Sequence, residues 1–197
     1  MATLPTRPWP NFVTIGSLTP TRVSEAHNLR RVTRANGPQR WVLKFGWRDL
    51  KREDWAVLYA FFVAQRGAYG SFTAVISGLE NPRGVATGTP ISTVTSQTGR
   101  SIATAGWTPN ITGILKAGDY IKFANHAKVY MVVADCNSDG SGAATLTIEP
   151  ALQVAIASQL LTVRNVPFTL ALKDPAFETA ITPGMLGSLE VDFVETY

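Results

Sequence analysis

The chain has 197 residues, of which 45% are hydrophobic, 10% aromatic and only 16% charged, with a formal net charge of +4. This length fits one compact domain or one domain that carries a small insert, and the hydrophobic content excludes a disordered chain. A single cysteine excludes an internal disulfide framework. The sequence has no apolar run near the ~20 residues that cross a bilayer and no apolar signal core, so we expect neither membrane insertion nor secretion.

The charges are divided unevenly along the chain. Residues 1–66 contain eleven Lys/Arg and four Asp/Glu, a net charge of +7, whereas residues 67–197 contain seven bases and ten acids, a net charge of −3. A basic front and an acidic back predict attraction between copies of the chain, or contact of the front with nucleic acid. Charges scattered over several solvated faces are the alternative.

The first third of the chain predicts an extended arm followed by strands. Three prolines surround Trp9 in the first eleven residues and keep this arm extended, so we expect it to lie on another surface and to be dispensable for folding. Phe12–Leu18 predicts a strand. Leu29–Arg34 and Gln39–Trp47 predict a hairpin joined through Asn36-Gly37, because Asn-Gly supplies the positive φ angles of tight turns.

The hydrophobic period changes after Asp49. Apolar residues recur there at i, i+3, i+4, i+7 and i+8, which predicts one amphipathic helix over residues 51–66. Asp49 is the expected N-cap, and Gly67 is the expected stop. A strand at Ser71–Ser77 follows directly, so the sequence predicts a single helix that packs on a sheet.

A stretch rich in Gly, Pro, Asn and Thr predicts a linker at 78–90, after which short strands alternate with turn clusters as in a small barrel. Pro150–Ser158 predicts one short helical turn. The predicted fold class is mainly β with one α-helix: residues 1–80 plus 166–197 form a β domain that includes the helix, and residues 81–165 form an inserted small β-barrel domain. The strands predicted in the insert are Ile91–Thr95, Arg100–Thr104, Tyr120–Ala124, Lys128–Asp135, Ala144–Glu149 and Leu160–Arg164.

No motif indicates an enzyme. His27 and His126 are the two histidines of the chain, and neither lies in a pattern that would fix a nucleophile, so we expect turn or surface histidines. Cys136 ends an apolar strand, a position typical of a buried, inert thiol. Phosphate-loop and zinc motifs are absent. We therefore predict no catalytic residue, no cofactor and no metal site.

One segment deserves comparison with a calcium loop. Asp135-x-Asn137-x-Asp139-Gly140 matches the first half of such a loop, but the twelfth position, which should be glutamate, is Leu146. An Asx- and Gly-rich connection between two strands explains the same residues without a metal ion.

The densest basic cluster consists of Arg30, Arg31 and Arg34. It suggests nucleic-acid binding, but neighbouring residues on a strand point to opposite faces, which weakens the patch. We therefore interpret these arginines, together with Trp9, as candidate assembly residues. Reversing the three arginines to Glu is expected to impair assembly and to spare the fold.

Two passages resemble bacteriophage tail proteins. The helix that ends in the segment Tyr59–Phe72 and its Arg-Gly-x-Tyr-x-x-Phe sequence, flanked by strands, is similar to a passage of siphophage and gene-transfer-agent distal tail proteins. The second passage is similar to a β-barrel insert of minor tail proteins. It comprises Gly113–Phe123, Val129–Asp135 and Thr147–Pro150.

The resemblance implies a tail-tube-like split β-barrel or sandwich, which assembles with copies of itself as a hexameric ring at the distal end of a long tail. The ring would join the tail tube protein to hub or baseplate proteins, with the tape-measure protein and DNA passing transiently through its lumen. The protein would be made in the host cytoplasm and located in the virion, at the tail tip. A tail-tube or tail-terminator subunit is the alternative within this class, and a carbohydrate- or nucleic-acid-binding module is the alternative from another class.

Overall fold

The computed structural model describes residues 1–183 and 186–197. In this part of the chain it contains fifteen β-strands, one α-helix and a single 3-10 turn, so the prediction of a mainly β protein with one helix is confirmed. The first elements are β1 (Ala2–Thr3), β2 (Phe12–Leu18), β3 (Thr21–Glu25), β4 (Arg31–Ala35), β5 (Arg40–Leu50), α1 (Arg52–Ala64) and β6 (Ser71–Val75). The next are β7 (Gly88–Ser92), β8 (Ser101–Trp107), β9 (Tyr120–Phe123), β10 (Val129–Val132), β11 (Ala144–Glu149) and β12 (Leu161–Thr162). The last are β13 (Pro167–Leu172), β14 (Thr179–Thr182) and β15 (Leu186–Glu195).

The chain divides into two compact units. The first unit consists of Met1–Phe72 and Leu170–Thr196, and the second consists of Thr73–Thr169 and Tyr197. No helix among the described residues is long and apolar enough to cross a membrane.

A seven-stranded sheet has the order β1-β6-β13-β15-β5-β2, with β14 paired to β15. Strand β5 is antiparallel to β2 on one side and to β15 on the other. Its alternate residues Trp41, Leu43, Phe45 and Trp47 are buried, as the sequence alternation predicts.

Helix α1 packs its apolar face on this sheet. Leu58 and Phe62 are fully buried, and the Phe62 ring centroid lies 5.5 Å from that of Phe193 and 6.0 Å from that of Trp47. The predicted N-cap is wrong, because Lys51 occupies that position and Asp49 has a φ of 53° at the end of β5. The helix is nevertheless where the 3.6-residue period places it.

The predicted hairpin between Leu29–Arg34 and Gln39–Trp47 is wrong. Strand β4 pairs with β3, whereas β5 pairs with β2 and β15. The pairing of β2 with β5 and that of β3 with β4 are interrupted between them by Pro20 and Pro38, which have no N–H to donate to a strand partner. At this interruption the Asn36 N–H donates to the Pro20 carbonyl (2.8 Å). Asn-Gly therefore bends one strand of a longer hairpin instead of closing a hairpin itself.

The second unit contains a six-stranded sheet with the order β12-β9-β10-β11-β8-β7. A bridge between Ile91 and Leu160 joins the two ends of this order and nearly closes the sheet into a barrel, as predicted for the insert. Its interior is filled by fully buried side chains such as Ile121, Phe123 and Leu146. The helical turn predicted at Pro150–Ser158 is wrong, since this segment contains no helix.

A buried carboxylate organises the start of this barrel. Asp119 is 3% exposed, and its side chain accepts the backbone N–H groups of Arg83 (2.7 Å), Lys116 (2.8 Å) and Gly84 (3.2 Å). Three donors explain why a carboxylate is stable in this position. Asp119 thereby holds the segment before β7 against the turn before β9.

Candidate assembly surfaces

The segment Thr21–Ala35, which we call the basic hairpin, is the most exposed part of the first unit. Every residue of β3 and β4 is exposed, so neither face of the hairpin packs on a layer of its own unit. The exposed residues include Val23, Val32 and Leu29, the last with 80% of its surface accessible. Because an isolated two-stranded hairpin is marginally stable in water, these strands are suited to a partner that covers them.

The register of the basic hairpin sorts its charges by face. Arg22 lies directly opposite Arg34, and Glu25 lies directly opposite Arg31. No described carboxylate lies within ion-pair distance of these arginines. Like charges directly across a strand pair destabilise the hairpin, so the face of Arg22 and Arg34 carries two positive charges that repel each other.

The structure separates the three arginines predicted from the sequence. Arg34 shares a face with Arg22, Arg31 lies on the opposite face, and Arg30 precedes β4 at the end of the turn. Sequence reasoning missed Arg22 because its proximity to Arg34 depends on the β3–β4 register. Whether any of these arginines lies in an interface stays a prediction.

The N-terminal arm lies along its own unit. Leu4 is buried, the Trp47 indole N–H donates to the Pro8 carbonyl (3.0 Å), and the Asn11 N–H donates to the Gly46 carbonyl (2.8 Å). Trp9 is 51% exposed. The arm is thus anchored at both of its ends, and it presents Trp9 at the surface, where an interface role remains a prediction.

Strand β2 forms an edge of the seven-stranded sheet. Within the described part of the chain, it pairs with β5 on one side and with no strand on the other. Its sequence, Phe-Val-Thr-Ile-Gly-Ser-Leu, contains no charge and no proline, the devices that discourage a further strand from pairing with an edge. This edge can therefore accept a strand from another chain.

An acidic groove lies beside β14 and β15. This cavity of about 460 Å³ is lined by Glu178, Thr179, Ala180, Ser188 and Glu190. The Glu190 carboxylate is paired with Lys44 (2.7 Å) and with Arg48 (3.9 Å), whereas no described base pairs with that of Glu178.

The basic hairpin and the acidic groove are near opposite ends of the same strand. The hairpin leaves the sheet where Leu18 pairs with Arg40, and the groove residue Glu190 pairs with Gly46 farther along β5. Six residues of extended strand separate these levels by about 20 Å. The two charged surfaces of one copy are consequently available to two different neighbours.

The two histidines have different environments. His27 is exposed in the turn of the basic hairpin. His126 also lies in a turn, but it is 6% exposed and its Nδ1 is 2.8 Å from the Tyr130 hydroxyl, so the expectation of a surface position is wrong. Burial lowers the pKa of His126, with a weaker opposing effect from the Val154 backbone, which favours the neutral ring.

Cys136 is buried, and its thiol donates to the Thr145 carbonyl (3.2 Å). Burial raises the pKa of this thiol and so reduces the nucleophilic thiolate form. The buried position is the one that the sequence predicts.

The residues that resemble half of a calcium loop stabilise three separate pieces of backbone. Asp135 accepts the Ala117 N–H (2.9 Å), Asn137 accepts the Gly113 N–H (2.7 Å), and Asp139 accepts N–H groups of its own turn. These bonds account for the polar side chains without a cation. Among the described residues, no three His, Cys, Asp or Glu side chains are grouped closely enough to hold a metal ion.

Comparison with known proteins identifies the inserted barrel. No curated protein matches the sequence. Residues 80–160 match the family model of the B domain of distal tail protein pb9. The match covers less than half of the chain and includes β7 to β11. The second unit is therefore similar to the B domain of distal tail protein pb9, and this match supports the resemblance of the chain to bacteriophage distal tail proteins.

Proposed function

We propose that this protein is a structural subunit of a ring at the distal end of a long phage tail. The observation that carries the proposal is the match of residues 80–160 to a distal tail protein domain. The helix-to-strand passage of the first unit, which resembles distal tail proteins outside the matched region, supports the same role. The role is structural and not catalytic.

The surfaces of the first unit fit assembly into a closed ring. A ring with cyclic symmetry needs two different, complementary surfaces on each subunit. The basic hairpin and the acidic groove form such a pair, and the outer edge of β2 can add a strand-to-strand contact. Copies joined head to tail through these surfaces close as a ring, for which we propose six subunits.

In this proposal the first unit forms the ring in a tail-tube-like arrangement, and its lumen admits the tape-measure protein and then DNA. One face of the ring contacts the tail tube protein and the other contacts hub or baseplate proteins. The B domain is an addition to the ring-forming unit and contacts further tail-tip proteins. A low proportion of charged residues suits a subunit with several covered faces.

Subunit-resolution imaging of purified particles that carry this protein tests the proposal. We expect one ring of this chain at the tail end, with its stoichiometry checked by quantitative mass spectrometry against the tail tube protein. Many stacked rings would show a tail-tube subunit, and a ring at the head-proximal end would show a terminator. Absence of the chain from purified particles would contradict a structural role in the virion.

A further inference from the structure

We propose that the basic hairpin of one copy docks in the acidic groove of the next copy, with Arg22 and Arg34 facing Glu178 and Glu190. This inference rests on the proposed function, because it names the contact that joins neighbouring subunits. The occupant of the groove is thus a second copy of this chain.

The hairpin side of the contact is incomplete in a single chain. Arg22 and Arg34 lie opposite each other without a described ion-pair partner, and Val23 and Val32 on the two faces are both exposed. Carboxylates placed against the two guanidinium groups would remove the repulsion between them. A protein surface would at the same time cover the apolar side chains, which the phosphates of a nucleic acid do not do.

The groove side supplies the complementary charge. The sequence after Lys173 contains five acidic residues and no lysine or arginine. Glu178 is exposed without a described ion pair, and the pairs of Glu190 with Lys44 and Arg48 are both solvent-exposed. Exposed pairs contribute little stability, so Glu190 can accept an arginine from another copy at small cost. Guanidinium groups suit such a site, since they bind carboxylates in a planar, bidentate geometry.

The position of the two surfaces makes the contact intermolecular. The hairpin leaves the sheet at the Arg40 end of β5, and Glu190 lies opposite Gly46, about 20 Å away along the strand. Both faces of the hairpin are exposed, so it does not fold back over its own sheet. When the hairpin of one copy docks in the groove of the next, a row of copies has an empty groove at one end and an undocked hairpin at the other. A closed ring brings these two ends together, so that every hairpin occupies a groove.

Two complementary variants of the full-length chain test this contact. In one, Arg22→Glu and Arg34→Glu make the hairpin acidic; in the other, Glu178→Arg and Glu190→Gln make the groove basic. Sedimentation velocity over a concentration series measures self-association at low and high ionic strength, and circular dichroism checks the fold. We expect the wild type to associate less strongly as salt rises. Each variant alone should have an apparent Kd at least tenfold higher.

An equimolar mixture of the two variants should restore association at low salt. In an alternating assembly, every acidic hairpin meets a basic groove and every basic hairpin meets an acidic groove. The matched control exchanges the charges of an exposed ion pair in the second unit, Arg100→Glu with Glu149→Arg. This exchange keeps the net charge and the opposite charges of the pair, and it should leave the apparent Kd unchanged.

Several results would overturn the inference. These are a wild type that stays monomeric, a variant that associates like the wild type, a mixture that does not restore association, or a control exchange that is as harmful as the hairpin reversal. DNA binding that is lost in the hairpin variant without a change in self-association would assign this face to nucleic acid instead. Any of these results together with an intact ring in imaged particles overturns the docking alone, whereas absence of the chain from the tail end overturns the proposed function.

Discussion

At the scale of single residues, His126 shows how burial decides the behaviour of a side chain in a turn. Its ring is packed against Phe123 and Tyr130, at centroid distances of 5.7 and 5.6 Å. The sequence predicts a turn or surface position for this histidine, whereas its burial depends on the packing of its ring against β9 and β10. Local sequence patterns therefore predict that His126 lies in a turn, but they cannot predict that its ring is buried.

The lowered pKa of His126 predicts acid sensitivity of the second unit. In the unfolded chain the ring titrates near its ordinary pKa of 6.5, whereas the folded protein binds the proton less readily. Below pH 6.5 the unfolded state consequently binds more protons, and the free energy of unfolding should fall as the pH decreases. The contribution is complete above that pH. Urea unfolding between pH 7.5 and 5 measures this slope.

The second histidine provides the control. His126→Asn should flatten the dependence of the free energy of unfolding on pH in this window, at some cost in stability at pH 7.5. His27→Asn changes an exposed histidine and should leave both quantities as they are. An unchanged slope in His126→Asn would mean that other groups cause the acid sensitivity.

At the scale of elements, the sequence predicted the helix and the strands whose signal is a local hydrophobic period. The helix predicted at residues 51–66 is found at Arg52–Ala64, and the alternation that predicts a strand from Ser71 matches β6 (Ser71–Val75). The pairing of β4 was predicted wrongly, because the Asn36-Gly37 signal is local while the β3–β4 register is set by the turn at Ala26–Arg30. The same register creates the Arg22–Arg34 pair, which explains why the charged face of the hairpin could not be located from sequence density alone.

The contacts of the arm change the expectation that it is dispensable for folding. Deletion of residues 1–11 removes the buried Leu4 side chain and leaves the Trp47 indole N–H without its acceptor at Pro8. Burial of a leucine and one lost hydrogen bond together predict a decrease of about 3 kcal/mol in the free energy of unfolding. Urea unfolding followed by far-UV circular dichroism measures this decrease.

Trp9→Ser separates the surface of the arm from its anchors. Half of the Trp9 side chain is exposed, so this change should lower the free energy of unfolding by less than about 1 kcal/mol. Wild-type stability of the chain without residues 1–11 would instead show that the arm contributes nothing to its own unit.

At the scale of the whole molecule, the basic and the acidic surfaces that result from the uneven charge of the sequence both lie in the first unit. The basic hairpin lies in the positive N-terminal third, and the acidic groove is built from the C-terminal segment, which folds into the same unit. The sequence predicted an attraction between copies, but it could not predict that both surfaces belong to one unit. That placement requires the pairing of β5 with β15, which joins residues more than one hundred positions apart.

The two cores predict two separate unfolding events. Phe62 is at the centre of the aromatic core of the first unit, and Ile121 is fully buried in the barrel core of the second. Phe62→Ala should destabilise the first unit by about 3–5 kcal/mol, and Ile121→Ala should destabilise the second by about 2–5 kcal/mol. Scanning calorimetry of the full-length chain should resolve two transitions, each lowered by one variant only. Val57→Ala, on the exposed side of α1, should move neither transition. A single transition that both variants lower equally would show one cooperative unit and would contradict the domains predicted from the sequence, 1–80 plus 166–197 and 81–165.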